Sequence, residues 1–169
     1  LFLLLMIKIL IVIGTRPEAI KMVPLYLELK KRSSLCNVIL CVTGQHREML
    51  DQVFKFFNVL PDIDLNIMER NQSLQGISVK ILQHFSNVLR DVNPNLVLVH
   101  GDTTSAMISS IVCFYEKIEL GHVEAGLRTR NNFHPWPEEV NRRIISITSR
   151  YNFCPTSLSK QNLLRWVSP

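Results

Sequence analysis

Short apolar runs alternate with stretches of helical spacing along most of the chain. The runs that predict buried strands are Ile7–Ile13, 38–42, Leu96–His100, 120–123 and 151–154. The stretches that predict helices are 17–32, Arg47–Phe57, 73–92, 103–117, 137–150 and 157–166. Strands that alternate with helices in this way predict an α/β fold with a doubly wound, mostly parallel sheet. The pattern does not reveal the order of the strands.

Two stretches allow more than one local structure. Pro24 lies within the first helical stretch and either kinks that helix or restarts it. Residues 60–68 alternate at Ile63, Leu65 and Ile67, which favours a short strand with one exposed face.

The apolar start of the chain is typical of either a membrane helix or a buried strand. Residues 1–13 are apolar apart from Lys8, but a spanning helix needs about 20 residues. They also lack the basic start and the cleavage site of a signal peptide. Gly14 follows directly, as it does where a buried parallel strand ends in a turn. We therefore expect a strand and no membrane partner, although residues 1–5 exceed what that strand requires.

Composition narrows the functional classes. The chain has 169 residues, of which 47% are hydrophobic and 20% charged, as expected for one globular domain. The net charge of +5 is scattered, without basic runs interleaved with aromatic residues, so no nucleic acid is expected. Four cysteines without CxxC spacing favour free thiols in a reducing cytoplasm. Histidine spacing suggests no metal, and the absence of GxGxxG suggests no nicotinamide cofactor.

Two predicted strands end at a carboxylate with a glycine within two residues. Asp102 follows the run Leu96–His100, and Glu124 follows the run 120–123. Because the carboxyl ends of parallel strands open onto the ligand crevice, both carboxylates are expected at one cleft. Asp102 could instead cap the helix that follows it. Glu138 and Glu139 open a later helix, where acids are favourable for structural reasons alone.

Arg16 supplies a candidate cation at the first strand–glycine–helix turn. It follows Gly14-Thr15 and directly precedes Pro17, which suits the first turn of a helix. A helix N-terminus beside a guanidinium is a favourable place for phosphate. The alternative is that Arg16 pairs with an acid on the surface.

Five motifs together carry a resemblance to a known family. They are 9–21 (ILIVIGTRPEAIK), 42–49 (VTGQHREM), 99–104 (VHGDTT), 121–129 (GHVEAGLRT) and 135–142 (PWPEEVNR). The chain resembles the non-hydrolysing UDP-N-acetylglucosamine 2-epimerases from residue 7 to about residue 164. The resemblance implies a glycosyltransferase-B-like arrangement of two domains. Residues 1–169 would be its N-terminal Rossmann-like domain, with the second domain outside this chain.

The resemblance also implies a reaction and a set of site residues. UDP leaves from C1 of the sugar as a proton leaves C2, and UDP then re-adds to the glycal as a proton returns on the opposite face. The family's acidic positions correspond to Asp102, Glu124 and Glu138. Its substrate-binding positions correspond to Arg16, Lys21, Gln45, His46 and Arg142. No cofactor is implied, the UDP-sugar is the partner molecule, and homodimers occur in the family.

The chain departs from the family's usual sequence in one loop, and the motifs leave three functions open, of which the epimerase is the first. Arg130-Asn131 stand where the family usually has Gly-Asp, which is expected to alter the loop or the choice of substrate. A hydrolysing relative, which releases UDP and N-acetylmannosamine, has nearly the same motifs. A non-catalytic module that binds nucleotide sugars is the third outcome. Which acid removes the proton and which returns it stays open.

Overall fold

The computed structural model describes residues 6–44, 47–67 and 72–167. Its strands are β1 (Ile7–Ile13), β2 (Cys36–Val42), β3 (Ile63–Asp64), β4 (Leu96–His100), β5 (Glu119–Val123) and β6 (Tyr151–Phe153). Its helices are α1 (Arg16–Lys30), α2 (Arg47–Phe57), α3 (Leu74–Val92), α4 (Thr104–Tyr115), α5 (Glu138–Thr148) and α6 (Ser157–Val167). Every predicted element is present, and apart from the stretch 60–68 its ends shift by at most two residues.

The strands form one parallel sheet in the order β3-β2-β1-β4-β5-β6. This confirms the prediction of a doubly wound, Rossmann-like α/β fold. β2 and β3 are added on one side of β1, and β4, β5 and β6 follow on its other side, so the strand order reverses between β1 and β4. Ile9 of β1 lies opposite Leu96 of β4. In such sheets ligands bind outside the carboxyl ends of the strands at this switch point. The topology therefore directs attention to the residues that follow β1, β4 and β5.

Two apolar layers cover the two faces of the sheet. Ile11 and Ile13 of β1 face the layer that contains Met22 of α1 and Leu50 of α2. Leu10 of the same strand faces the other layer, which is built mainly by α3 and α4. Because β1 lies at the centre, successive side chains from Ile9 to Ile13 enter opposite layers and are almost completely buried. The apolar run at the start of the chain is therefore a strand; residues 1–5 lie outside the described part.

The structure settles the two stretches that the sequence left open. α1 runs without interruption through Pro24, and Thr15 and Glu18 form a capping box at its start. The alternation at 60–68 yields only the two-residue strand β3 at the edge of the sheet. Among the helices that the structure describes, none is both long and apolar enough to cross a membrane.

The contact of α6 with the turn after β5 provides a test of the fold. A Cβ atom at Gly126 would lie 2.2 Å from the carbonyl oxygen of Ser159 in α6, and the φ of Gly126 is +86°. We expect Gly126→Ala to lower the free energy of unfolding by about 3 kcal/mol, because backbone must move and a left-handed residue gains a side chain. Urea denaturation measures the change.

Gly76→Ala is the matched control for this substitution. Gly76 lies in α3 with an ordinary φ, and the nearest atom to its added Cβ belongs to the flexible side chain of Gln72. Alanine favours a helix over glycine by up to about 1 kcal/mol, so Gly76→Ala is expected to be neutral or stabilising. Equal effects of the two substitutions would contradict the described packing of α6.

Candidate active site

Arg142 connects the ends of two neighbouring strands. Its Nη2 atom binds the carboxylate of Asp102, which follows β4. Its Nη1 atom donates to the carbonyl oxygen of Glu124, which follows β5, at 3.0 Å. Asn141, the preceding residue of α5, donates from Nδ2 to the carbonyl oxygen of Asp102 at 2.9 Å. One turn of α5 thus holds both predicted acidic positions at the same edge of the sheet.

Asp102 does not cap the helix that follows it, so the capping alternative is wrong. The hydroxyl of Thr103 occupies that role and accepts a hydrogen bond from the amide of Ala106 at 3.1 Å. A capping side chain accepts a hydrogen bond from a backbone amide in the first turn of the helix. The Asp102 carboxylate instead binds Arg142, whose side chain is almost fully buried.

Glu124 lies between two basic side chains. Its Oε1 atom pairs with the ammonium group of Lys21 in α1, and its Oε2 atom lies 3.3 Å from Nε2 of His100. Burial raises the pKa of Glu124, but the hydrogen bond from Lys21 and the positive charge of Arg142 outweigh it, so the pKa is below its usual value. Glu124 is therefore a carboxylate at neutral pH.

The backbone of Glu124 is strained as well. Its φ is +66°, in the left-handed region that residues other than glycine and asparagine seldom adopt. Such conformations persist where neighbouring contacts over-determine them, and they concentrate at functional sites. Here Arg142 holds the carbonyl group of Glu124 while Lys21 holds its carboxylate.

His100 is a site residue that the motif analysis did not single out. It is the last residue of β4 and is buried, and burial lowers its pKa although Glu124 acts in the opposite direction. A neutral imidazole therefore faces the Glu124 carboxylate. The sequence did offer a signal, because His100 is the last residue of a predicted strand and directly precedes Gly101-Asp102. A residue in that position lies at the same edge of the sheet as Asp102.

Glu18 is a second site residue that the sequence did not reveal, since its position indicated only a favourable acid at a helix N-terminus. It is 3% exposed, and its Oε2 atom accepts hydrogen bonds from the amides of Gly14 and Thr15, both at 2.6 Å. Its Oε1 atom accepts from the hydroxyl of Thr103 at 2.6 Å. Burial raises the pKa of Glu18, while these donors oppose the shift. Glu18 joins the loop after β1 to the loop after β4.

Glu138 and Glu139 have different surroundings although they are adjacent. The carboxylate of Glu139 accepts hydrogen bonds from the amides of Thr129 and Arg130, at 2.9 and 3.3 Å, and so holds the loop before α5. Glu138 lies one turn before Arg142 on α5. Its Oε2 atom is buried and has no hydrogen-bond partner in the described part of the chain. Glu139 is thus structural, and Glu138 presents an uncommitted carboxyl oxygen.

His122 stabilises the turn that precedes Asp102. It is fully buried in β5, and its Nε2 atom lies 2.7 Å from the carbonyl oxygen of Gly101, to which it donates. Gly101 has a φ of +70° and immediately precedes Asp102. Burial lowers the pKa of His122 to about 4, so the ring is neutral at pH 7. This hydrogen bond stabilises the turn that presents the Asp102 carboxylate.

The remaining predicted residues are less constrained. Arg16 is exposed at the start of α1 and forms no ion pair within residues 6–44, 47–67 and 72–167. Gln45 and His46 lie outside the described residues. No group of three or more potential metal-ligating side chains occurs in the ranges that the structure covers. The described site is therefore an assembly of carboxylates, cations and a neutral imidazole.

Comparisons with known proteins identify the family. A family model for UDP-N-acetylglucosamine 2-epimerase matches residues 27–168. The chain belongs to this family. The enzyme of that name from Neisseria meningitidis is 55% identical over 157 residues, which are 93% of this chain and 42% of the relative. The chain thus spans less than half the length of the relatives it matches.

Solved structures of family members agree with the fold. The Neisseria meningitidis UDP-GlcNAc 2-epimerase bound to UDP-GlcNAc superimposes with a TM-score of 0.92 at 53% identity, over 96% of this chain and 44% of that one. The Methanocaldococcus jannaschii enzyme in complex with UDP-GlcNAc and UDP gives 0.88 at 34% identity, over 96% of this chain and 44% of that one.

The strain at Glu124 can be measured by comparing two substitutions that both remove its carboxylate. Glycine relaxes at a φ of +66°, whereas glutamine keeps the strain. We expect Glu124→Gly to have a free energy of unfolding about 1 kcal/mol higher than that of Glu124→Gln. The control is Glu119 at the start of β5, where Glu119→Gly should be the less stable of the corresponding pair. The same order at both positions would argue against strain at Glu124.

The buried His122 predicts a loss of stability in acid. Its pKa is about 4 in the folded chain but about 6.5 when unfolded, so the unfolded state binds the proton first as the pH falls. The contribution is complete above pH 6.5 and is lost progressively towards pH 4. Between pH 7 and pH 5 we expect a loss of about 2 kcal/mol. Urea denaturation should show this component vanish in His122→Asn and persist in His84→Gln, which changes an exposed histidine.

Proposed function

We propose that this chain is the nucleotide-sugar-binding first domain of a UDP-N-acetylglucosamine 2-epimerase, which converts UDP-GlcNAc to UDP-ManNAc. The observation that carries the proposal is the assembly of Asp102, Glu124 and Arg142 at the switch-point edge. It occurs in a chain that is 55% identical to a named epimerase over 93% of its length. Asp102, Glu124 and Glu138 are the proposed catalytic residues.

The reaction requires acids of more than one kind. Inversion at C2 removes a proton from one face of the sugar and returns one to the other, and a single carboxylate cannot reach both faces. Glu124 is held as a carboxylate by Lys21, which suits a group that accepts a proton. Asp102 is bound by Arg142, whereas the Oε2 atom of Glu138 has no partner in the described residues. Three acids in three different surroundings can divide removal and return of the proton.

The departing UDP requires positive charge. Lys21 and Arg142 already lie at the acidic cluster, and Arg16 is exposed at the start of α1 on the same edge. The amides of Gly14 and Thr15 are occupied by Glu18. Cationic side chains, rather than free amides at this turn, are therefore proposed to attract the diphosphate and stabilise it as it leaves. Gln45 and His46 are proposed as further substrate-binding residues on the resemblance alone.

The other wall of the cleft is proposed to belong to a second, Rossmann-like domain. The described acidic cluster includes partly exposed side chains such as Glu124 and Lys21, at 23% and 51% exposure. A second domain that closes over them would exclude water and strengthen each of these interactions. The relatives contain more than twice the length matched here, which leaves room for it.

We further propose a cytoplasmic homodimer as the working form. Cys36, Cys41, Cys113 and Cys154 are free thiols, as expected in a reducing compartment. Homodimer formation rests on the family resemblance.

The isolated chain is expected to be nearly inactive as an epimerase. An open half-cleft does not orient the reacting groups, and orientation can contribute about 7–11 kcal/mol to lowering a barrier. The measurement follows UDP-ManNAc formed from UDP-GlcNAc by the purified chain, alone and with the separately expressed remainder of a relative. Turnover on the order of 10 per second by the chain alone would overturn the proposal.

Substitutions separate catalysis from assembly in the same experiment. Activity restored by the added domain should be abolished by Asp102→Asn or Glu124→Gln, because both remove a carboxylate with little change of shape. The control is Asp91→Asn, which removes an exposed carboxylate at the end of α3 and should leave restored activity unchanged. Restored activity that survives Glu124→Gln would exclude Glu124 from the proton transfers.

A further inference from the structure

A cavity at α5 is lined by side chains other than those of the acidic cluster. It has a volume of about 300 Å³ and is lined by Arg128, Arg130, Glu139, Arg143, Asn162 and Arg165. We call it the arginine pocket. Its volume is at the lower end of the range of small-molecule sites, roughly 300–1,000 Å³. None of the proposed substrate-binding residues lines it.

The helical register of α5 separates the pocket from the cleft. Glu138 and Arg142 are four residues apart and share one face of the helix. Glu139 and Arg143 are each one residue further along and therefore share a face turned by about 100°. Arg142 binds Asp102 in the cleft, while Glu139 and Arg143 line the pocket. One helix thus presents cations to two different sites.

The pocket has a strong excess of positive charge. Four arginines and one glutamate line it, and both oxygens of the Glu139 carboxylate already accept amide hydrogen bonds. Burial and the neighbouring charges of Arg142 and Arg143 lower the pKa of Arg128, although Glu139 opposes the shift. Grouping these charges costs free energy, which an anion would offset.

Local contacts hold the walls of the pocket in place. Asn162 of α6 donates from Nδ2 to the carbonyl oxygen of Gly126 at 3.0 Å, so α6 is fixed against the turn after β5. Arg165 lies almost one turn further along α6. The Nη1 atom of Arg143 donates to Oδ1 of Asn132 at 2.6 Å. Arg130 has a φ of +64° and is held through its amide by Glu139. The cations therefore project from anchored backbone.

We propose that the arginine pocket is a second anion site, distinct from the catalytic cleft, that binds a diphosphate or a phosphorylated small molecule. Guanidinium groups pair with phosphate oxygens through two parallel hydrogen bonds, which favours phosphate over a simple point-charge ligand. The pocket is large enough for a ligand bigger than one inorganic phosphate ion, and the excess of arginines favours a ligand with more than one negative charge. The proposal does not depend on epimerase activity.

The probe is inorganic pyrophosphate, titrated into the purified chain at low ionic strength and followed by amide NMR. The amide of Asn131 and the side-chain amide of Asn162 report on the pocket, while the amides of Gly14 and Thr15 report on the cleft. We expect the pocket signals to titrate with a dissociation constant below about 1 mM. Because the two sites give separate signals, binding in the cleft cannot be mistaken for binding in the pocket.

Three variants make the test specific. The pocket variant Arg130→Gly/Arg165→Gln removes two exposed charges, and glycine also relaxes the left-handed backbone at residue 130. The control Arg32→Gln/Arg90→Gln removes the same charge from exposed ion pairs with Glu28 and Glu116. Lys21→Gln alters only the cleft. Pyrophosphate should bind the pocket at least about tenfold more weakly in the pocket variant and within twofold of the original in the other two.

Each outcome decides the proposal. Pocket signals that stay unshifted up to about 10 mM pyrophosphate, or equal weakening in the pocket and control variants, would overturn it. Equal weakening would mean that net charge alone attracts the anion. The single variant Arg165→Gln, at an exposed position of α6, provides a second measurement if the double variant folds poorly. Shifts confined to the pocket signals would support the arginine pocket whether or not pyrophosphate binds the cleft, because the cleft of this chain lacks the proposed second domain.

Discussion

The described site depends on the contacts of one buried side chain, the guanidinium group of Arg142. It joins the carboxylate after β4 to the carbonyl group after β5 and fixes both to α5. A buried cation is costly unless its charge and its donors are satisfied, and removing a partner typically costs about 3–5 kcal/mol. Asp102 and Glu124 are therefore held by a structural requirement as well as by any chemical role.

A buried carboxylate performs the corresponding task one strand away. Glu18 accepts hydrogen bonds from the loop after β1 and from Thr103 after β4. The three strand ends at the switch point are thus joined pairwise by buried ionisable side chains. Groups that are desolvated and fully hydrogen-bonded in this way specify one arrangement, because alternatives leave a polar group unpaired.

The elements of the fold were predictable because the apolar periodicity is strong. The parallel arrangement also made it predictable that Asp102 and Glu124 would lie at one edge, since each follows a buried strand. The capping alternative for Asp102 was wrong because Thr103, one residue later, competes for the same amides. The contact of His100 with Glu124 and the link from Glu18 to Thr103 depended on strand order, which no local pattern encodes.

The central seam of the sheet has a consequence for how the chain acquires its structure. The amide of Lys8 pairs with the side chain of Asn95, 87 residues away, and Glu18 pairs with Thr103 across 85 residues. β1 can associate with β2 from nearby sequence, but its other edge stays exposed until β4 arrives. Long-range parallel pairing is intrinsically slow, and an unpaired central strand is prone to aggregation in the meantime. On a ribosome, the cleft residues therefore come together only after α5, which carries Arg142, has emerged. A pause before β4 prolongs exposure of the most apolar strand.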